Sequence, residues 1–301
     1  MVKLAADRNR KGRGLVRRAA FRRGLIIATA LALVVVSGLV VWSRTRATPV
    51  VTSPVDMDQV HGLGVNPGNG SLYAATHSGV LRLPNGDLPQ RVGEAQQDTM
   101  AFVVAGSDHF LASGHPAPGH DGPADLGLIE STDGGRTWKT LSLSGGAAFH
   151  TLRYGHGTVF GFNYTNGQLL ASKDKTTWDK RADIALRDFV ISPTDPDTLL
   201  ATTLDGMARS ADGGRTWTAA AGPKLALLSW PSSSVLWAVT TDGDVMRSSD
   251  GGAGWMPTGR VEGTPTAFAT HEADLFVAVQ EGGIVRSSDA GETWTPAHPS
   301  P

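Results

Sequence analysis

An eight-residue phrase recurs along this 301-residue chain, and its spacing limits the fold more than any other feature. Ser131–Trp138 reads STDGGRTW, Ser210–Trp217 SADGGRTW, Ser248–Trp255 SSDGGAGW and Ser287–Trp294 SSDAGETW. A worn copy one residue shorter, SKDKTTW, covers Ser172–Trp178. The closing residues Trp138, Trp178, Trp217, Trp255 and Trp294 follow one another at 40, 39, 38 and 39 positions. A chain that repeats at such a period stacks one supersecondary unit on the next, because a single unit cannot bury its own apolar face.

The similarity extends beyond the octapeptide. LYAATHSGVLR (72–82), LLATTLDGMARS (199–210), LWAVTTDGDVMRS (236–248) and LFVAVQEGGIVRS (275–287) align with one another, as do VHGLGVN (60–66), FVISP (189–193) and LALLSW (225–230). Each unit therefore reads strand A, turn, strand B, turn with Gly, strand C, octapeptide turn, strand D. Four short strands per period of about 39 residues predict an all-β chain, a β-propeller of six blades rather than seven, whose first blade lacks the octapeptide.

Within the octapeptide the chemistry is local. The aspartates (Asp133, Asp174, Asp212, Asp250, Asp289) can accept backbone N–H bonds across a tight hairpin, with Ser131, Ser172, Ser210, Ser248 and Ser287 two residues before them. The glycines Gly135, Gly214, Gly252 and Gly291 supply positive φ, and the tryptophan covers the hairpin. The phrase resembles the Asp box, S-x-D-x-G-x-T-W, of the BNR repeats in sialidase-like propellers. That resemblance implies a β-propeller with its boxes on the C–D turns, away from the functional face. The octapeptide is accordingly expected to be a building part.

The charge is unevenly spread. Of the 27 Lys and Arg, eleven lie within residues 1–46, where Asp7 is the one acid; the remainder holds 16 bases against 27 acids. So acidic a body argues against nucleic acid as a partner. The basic run flanks GLIIATALALVVVSGLVVW (24–42), nineteen residues without a charge, which as a helix would span about 28 Å, close to a bilayer core. Nine bases precede it and only Arg44 and Arg46 follow closely, so the reading is a single-pass signal-anchor: a basic cytoplasmic tail (1–23), a transmembrane segment (24–42), a linker (43–54) and a propeller (55–301) outside the cell membrane. A cleaved signal peptide is the rival, although the apolar run is long for one and no convincing A-x-A site follows. The absence of cysteine removes disulfides, thiolate ligands and cysteine nucleophiles.

In a propeller the D–A and B–C connections share one face. A residue the blade requires should recur there, whereas one required by function should not. His77 stands after strand B in the first unit, and its counterparts are His115, Tyr164, Leu204, Thr241 and Gln280. Near the starts of strand A stand His61, Asp98 and His150. His61, His77, Asp98, His115 and His150 are therefore expected to gather at one channel mouth as a ligand site. The four histidines suit a divalent transition metal there, while the same groups equally suit acid–base chemistry or a polar pocket. His109, His156, His271 and His298 read as solvated. Blade 2 adds a loop, PAPGHDGPADLG (116–127), that brings Asp121 and Asp125 to the same face.

The resemblance also raises a sialidase-like glycoside hydrolase acting on cell-surface glycans. A sialidase implies an arginine triad and a tyrosine nucleophile, but only Tyr73, Tyr154 and Tyr164 are present, none in the last three units, and most arginines belong to the repeat. A two-carboxylate glycosidase would draw on Asp98, Asp121, Asp125 or Glu130. The competing expectation is a binding or assembly module presenting this face to a metal, glycan or protein.

Overall fold

The computed structural model describes residues 57, 59–84, 87–281 and 283–298, which all belong to a compact unit spanning Val50–Pro301. The basic tail, the apolar run 24–42 and the linker lie outside the described residues. Among the described residues no helix is long and apolar enough to cross a membrane.

The described chain is all β, in six antiparallel four-stranded sheets, each formed by four consecutive strands. Blade 1 is β1 (Val60–Val65), β2 (Leu72–Thr76), β3 (Gly79–Leu83) and β4 (Gln90–Arg91). Blade 2 is β5 (Asp98–Gly106), β6 (His109–His115), β7 (Leu128–Ser131) and β8 (Lys139–Ser142). Blade 3 is β9 (Phe149–Gly155), β10 (Thr158–Asn163), β11 (Gln168–Ser172) and β12 (Asp179–Asp183). Blade 4 is β13 (Leu186–Ile191), β14 (Leu199–Thr203), β15 (Gly206–Ser210) and β16 (Thr218–Ala220). Blade 5 is β17 (Leu225–Ser232), β18 (Val235–Thr240), β19 (Asp244–Ser248) and β20 (Met256–Arg260). Blade 6 is β21 (Pro265–His271), β22 (Asp274–Val279), β23 (Gly283–Ser287) and β24 (Thr295–Pro296). The first strands of the blades pack side by side in sequence order, and β21 returns to lie against β1, which closes the ring.

There is no single central core. Six apolar clusters each straddle one blade–blade boundary, as where Phe160, Phe162 and Leu169 of blade 3 meet Phe189 and Leu199 of blade 4. Five boundaries carry the tryptophan that closes an octapeptide: Trp138, Trp178, Trp217, Trp255 and Trp294 each pack on the boundary with the preceding blade. Blade 1 has no octapeptide, and its boundary with blade 6 is filled instead by Met57 and Ala297.

All five octapeptides lie between the third and fourth strands of their blades. In blade 4, Ser210 Oγ donates to Asp212 Oδ1 at 2.8 Å and accepts from Gly214 N at 2.9 Å, while Thr216 donates its N–H and its hydroxyl to the same carboxylate. Trp217 Nε1 then donates to Gly214 O at 3.0 Å. The full pattern repeats around Asp289; around Asp250 the serine and tryptophan bonds repeat but Gly254 gives the carboxylate only its N–H, and around Asp133 the serine and aspartate bonds repeat. In the worn copy Asp174 still accepts from Ser172, Thr176 and Thr177, but Trp178 Nε1 donates to Ser142 Oγ of blade 2. Each aspartate ties down a turn that leads a tryptophan into a boundary.

Candidate functional site

The rim opposite the octapeptides is built on a second repeated feature. At the start of every first strand one residue is skipped by the ladder: Val60 pairs Thr76 and Gly62 pairs Ala75, leaving His61 between them. The same slip leaves out Met100, His150, Arg187, Ala226 and Thr266 in blades 2 to 6. A β-bulge frees its extra residue from the sheet's alternation and re-aims its side chain. Five of these six residues, all but Ala226, line a cavity of about 240 Å³ at this mouth, together with Phe162, Tyr164 and Leu186. Below it a constriction of about 90 Å³ runs along the channel past His61, His150 and Arg187.

Beside this cup three side chains converge. His77 stands in the β2–β3 turn, where Thr76 Oγ1 bonds Gly79 O at 3.0 Å and Gly79 takes φ +108°, with Ala95 O 2.5 Å from where a Cβ would stand. His77 Nδ1 lies 2.8 Å from Asp98 Oδ1, and His77 Nε2 lies 2.7 Å from Gln59 Oε1. The His61 ring meets the His77 ring edge-on at 4.5 Å, and its Nε2 is 4.0 Å from the same Asp98 oxygen. That Nε2 is buried without a hydrogen-bond partner. Burial, and next the neighbouring His77, hold the His61 pKa down to about 4, so the ring is neutral at pH 7.

The pair Asp98 and His77 raises a question of protons. A neutral His77 has one ring N–H, which goes either from Nδ1 to Asp98 or from Nε2 to Gln59 Oε1; in the second tautomer the Nδ1 lone pair faces Asp98. A metal-bound histidine whose other ring nitrogen donates to a fixed oxygen has this arrangement.

The other expected site residues are nearby but differently engaged. Gly114 is what lets β6 approach Asp98, since a Cβ there would stand 1.9 Å from Asp98 O. The following His115 turns outward to the inserted loop, with Nδ1 3.0 Å from Ala124 O and 3.4 Å from Asp125 Oδ1. His150 stacks on Tyr164 at 4.7 Å. Burial, then the neighbouring His115, lower its pKa from the usual value. Asp121 is exposed on the loop. Among the described residues, His61, His77 and Asp98 form the one group of three or more His, Asp or Glu whose donor atoms all lie within 4.8 Å of one another.

Glu130 does not join this face. Strand β7 carries it toward the octapeptide rim, where it accepts from Lys175 and sits 2.8 Å from His109 Nε2, its carboxyl held below the usual range despite partial burial. His109 is thus paired rather than merely solvated, and so is His156, whose Nε2 meets Ser192 O at 2.9 Å. Asp188 was not among the expected residues. It is buried at the centre of the channel wall, ion-paired with Arg153 and accepting backbone N–H bonds from Phe189 and Leu228, so it joins blades 3, 4 and 5. Burial raises its pKa, and Arg153 opposes that rise.

The bulges left a signal in the sequence. At the start of the first strands large apolar side chains buried in the boundaries stand three apart, as Val60 and Leu63, Phe149 and Leu152, Leu186 and Phe189, and Leu225 and Leu228, although in five blades the residue two along (Gly62, Ala101, Thr151, Asp188, Ala267) is buried as well. A strand that steps by three has taken in an extra residue.

No protein-family profile matches the chain, and no curated protein sequence does. Solved structures share its fold. The GH74 enzyme of Niastella koreensis superposes with a TM-score of 0.54 at 13% identity, over 80% of this chain and 38% of its own. The GH74 xyloglucanase of Xanthomonas campestris gives 0.51 at 16% identity, over 80% and 38%. A chain of a nidogen/laminin complex gives 0.58 at 15% identity, over 73% and 89%. This chain spans about two fifths of the length of the GH74 enzymes it resembles. At these identities the likeness is one of fold: the chain is a six-bladed β-propeller.

Proposed function

We propose that this propeller is an extracytoplasmic binding module, tethered to the cell membrane by residues 24–42, whose His-lined face holds a divalent transition metal through His61, His77 and Asp98. One observation carries the reading: a buried, unpartnered imidazole nitrogen lies 4.0 Å from a carboxylate oxygen that is already 2.8 Å from a second imidazole. Zinc-type ions take nitrogen and oxygen donors at about 2.0–2.2 Å, which puts tetrahedral donors about 3.4 Å apart, between the two separations seen here, so that His61 would close by a few tenths of an ångström on an ion. Gln59 supports the reading by fixing the outer nitrogen of His77. The bound ion would present its open positions to a glycan or protein ligand at the channel mouth.

The test is calorimetric titration of the full chain in detergent, stripped by chelator, with Zn²⁺ and Cu²⁺. One ion per chain is expected, with affinity reduced at least about 100-fold in His77→Ala and in Asp98→Asn. Absence of saturable binding by either ion overturns the reading.

A glycoside hydrolase on this face has the GH74-like fold in its favour. It would need two free carboxylates flanking a sugar. Asp98 and Asp125 are each beside a histidine, and Glu130 faces the other rim. Turnover of cell-surface glycans that vanishes in Asp98→Asn would favour it over stoichiometric binding.

A further inference from the structure

The cup above the constriction differs in chemistry from the three-donor cluster at its edge. No Asp or Glu is among the residues that line it. Its one formal charge is the Arg187 guanidinium, which is exposed and has no hydrogen-bond or ion-pair partner among the described residues. The adjacent Asp188 does not serve it as a pair, because that carboxylate points into the wall and is satisfied by Arg153 and two backbone N–H groups. The blade does not demand arginine at this place: the same bulge holds His61, Met100, His150, Ala226 and Thr266 in the other five blades. A fixed backbone position with a free substituent, aimed into a cavity, is where a ligand would be read.

We propose that this cup is a subsite for a small anion, a carboxylate or phosphate group, bound by the planar fork of Arg187, with the His150 ring at the same mouth. Guanidinium presents paired donors matched to such oxyanions, and no carboxylate lines the cavity to compete for them, Asp188 acting on Arg187 only through its charge from within the wall. The volume of about 240 Å³ sits below the range of drug-sized pockets and suits a ligand of few atoms, or the charged end of a larger one. The proposal deepens the reading of this face as a binding site but does not require the metal.

The experiment uses the full chain in detergent, metal-free after chelator dialysis, titrated with inorganic phosphate and separately with acetate, following the His150 ring-proton shift. Saturable binding of at least one anion is expected, weakened at least tenfold in Arg187→Gln and partly kept in Arg187→Lys. Arg136→Gln, on the octapeptide rim, leaves it unchanged. Stronger phosphate binding identifies a phosphate ligand, stronger acetate binding a carboxylate. Failure of both anions to saturate, or an affinity indifferent to Arg187→Gln, overturns the proposal. Because the titration is run without metal, failure of the three-donor cluster to hold an ion would leave this result standing, and the reverse also holds.

Discussion

The two rims of this propeller repeat different things. On the octapeptide rim both backbone and side chains recur: serine, aspartate and tryptophan make nearly the same bonds from blade to blade. On the opposite rim only the backbone recurs. The bulge is present in all six blades, while its residue is histidine, methionine, histidine, arginine, alanine and threonine in turn. Repetition of the side chain marks what the blade needs in order to pack. Variation at a fixed backbone position marks where the fold has left the residue to other uses.

If that division is right, the largest effects on stability belong to residues that bind blades together. Asp188→Ala should cost about 3–5 kcal/mol, because it strands the half-buried Arg153 and two backbone donors. A melting temperature within a degree of the parent would break the view of Asp188 as a clamp. Trp217→Ala comes next, at about 2–3 kcal/mol, less than for a fully buried tryptophan since this one is only part-buried. In a domain of this size that is a fall of roughly 5–10 °C in thermal unfolding, and ligand binding at the far rim should survive it.

Smaller and opposite in sign is Ala290→Gly. Ala290 holds φ +64° where the other three full copies of the octapeptide have glycine, so the substitution should stabilise by about 1 kcal/mol. A loss of stability in denaturant titration would show that the turn does not tolerate the added freedom. The mildest effect is on acid tolerance. Hydrogen bonds from Thr216 and Thr293 hold Asp212 and Asp289 at pKa values of about 2, below the ordinary 3.8. Their contribution is therefore complete above pH 4 and fades as pH falls toward 2. Thr216→Val should move the acid unfolding midpoint upward; an unchanged midpoint would remove this rim from the acid response.

Much of this was legible in the chain itself. The period of about 39 residues set the blade count, and strands aligned on LYAATHSG and its copies placed His77, Asp98 and His61 near one mouth. Two things were not. The bulges do not alter composition, and only the three-residue apolar step betrays them, as in FHTL at Phe149–Leu152. Nor does spacing reveal which candidates meet: His115 follows the inserted loop toward Asp125, and Glu130, one residue before an octapeptide, faces the wrong way. Asp188 was hidden because its partners come from three consecutive blades, and only the packing of neighbouring blades brings them together.

The most direct test is to locate the ion. Crystals of the metal-loaded full chain, measured on both sides of the zinc absorption edge, should show one strong anomalous peak bounded by His61 Nε2, His77 Nδ1 and Asp98. No peak at that position, or a peak only at the octapeptide aspartates, would contradict the assignment of function to the variable rim.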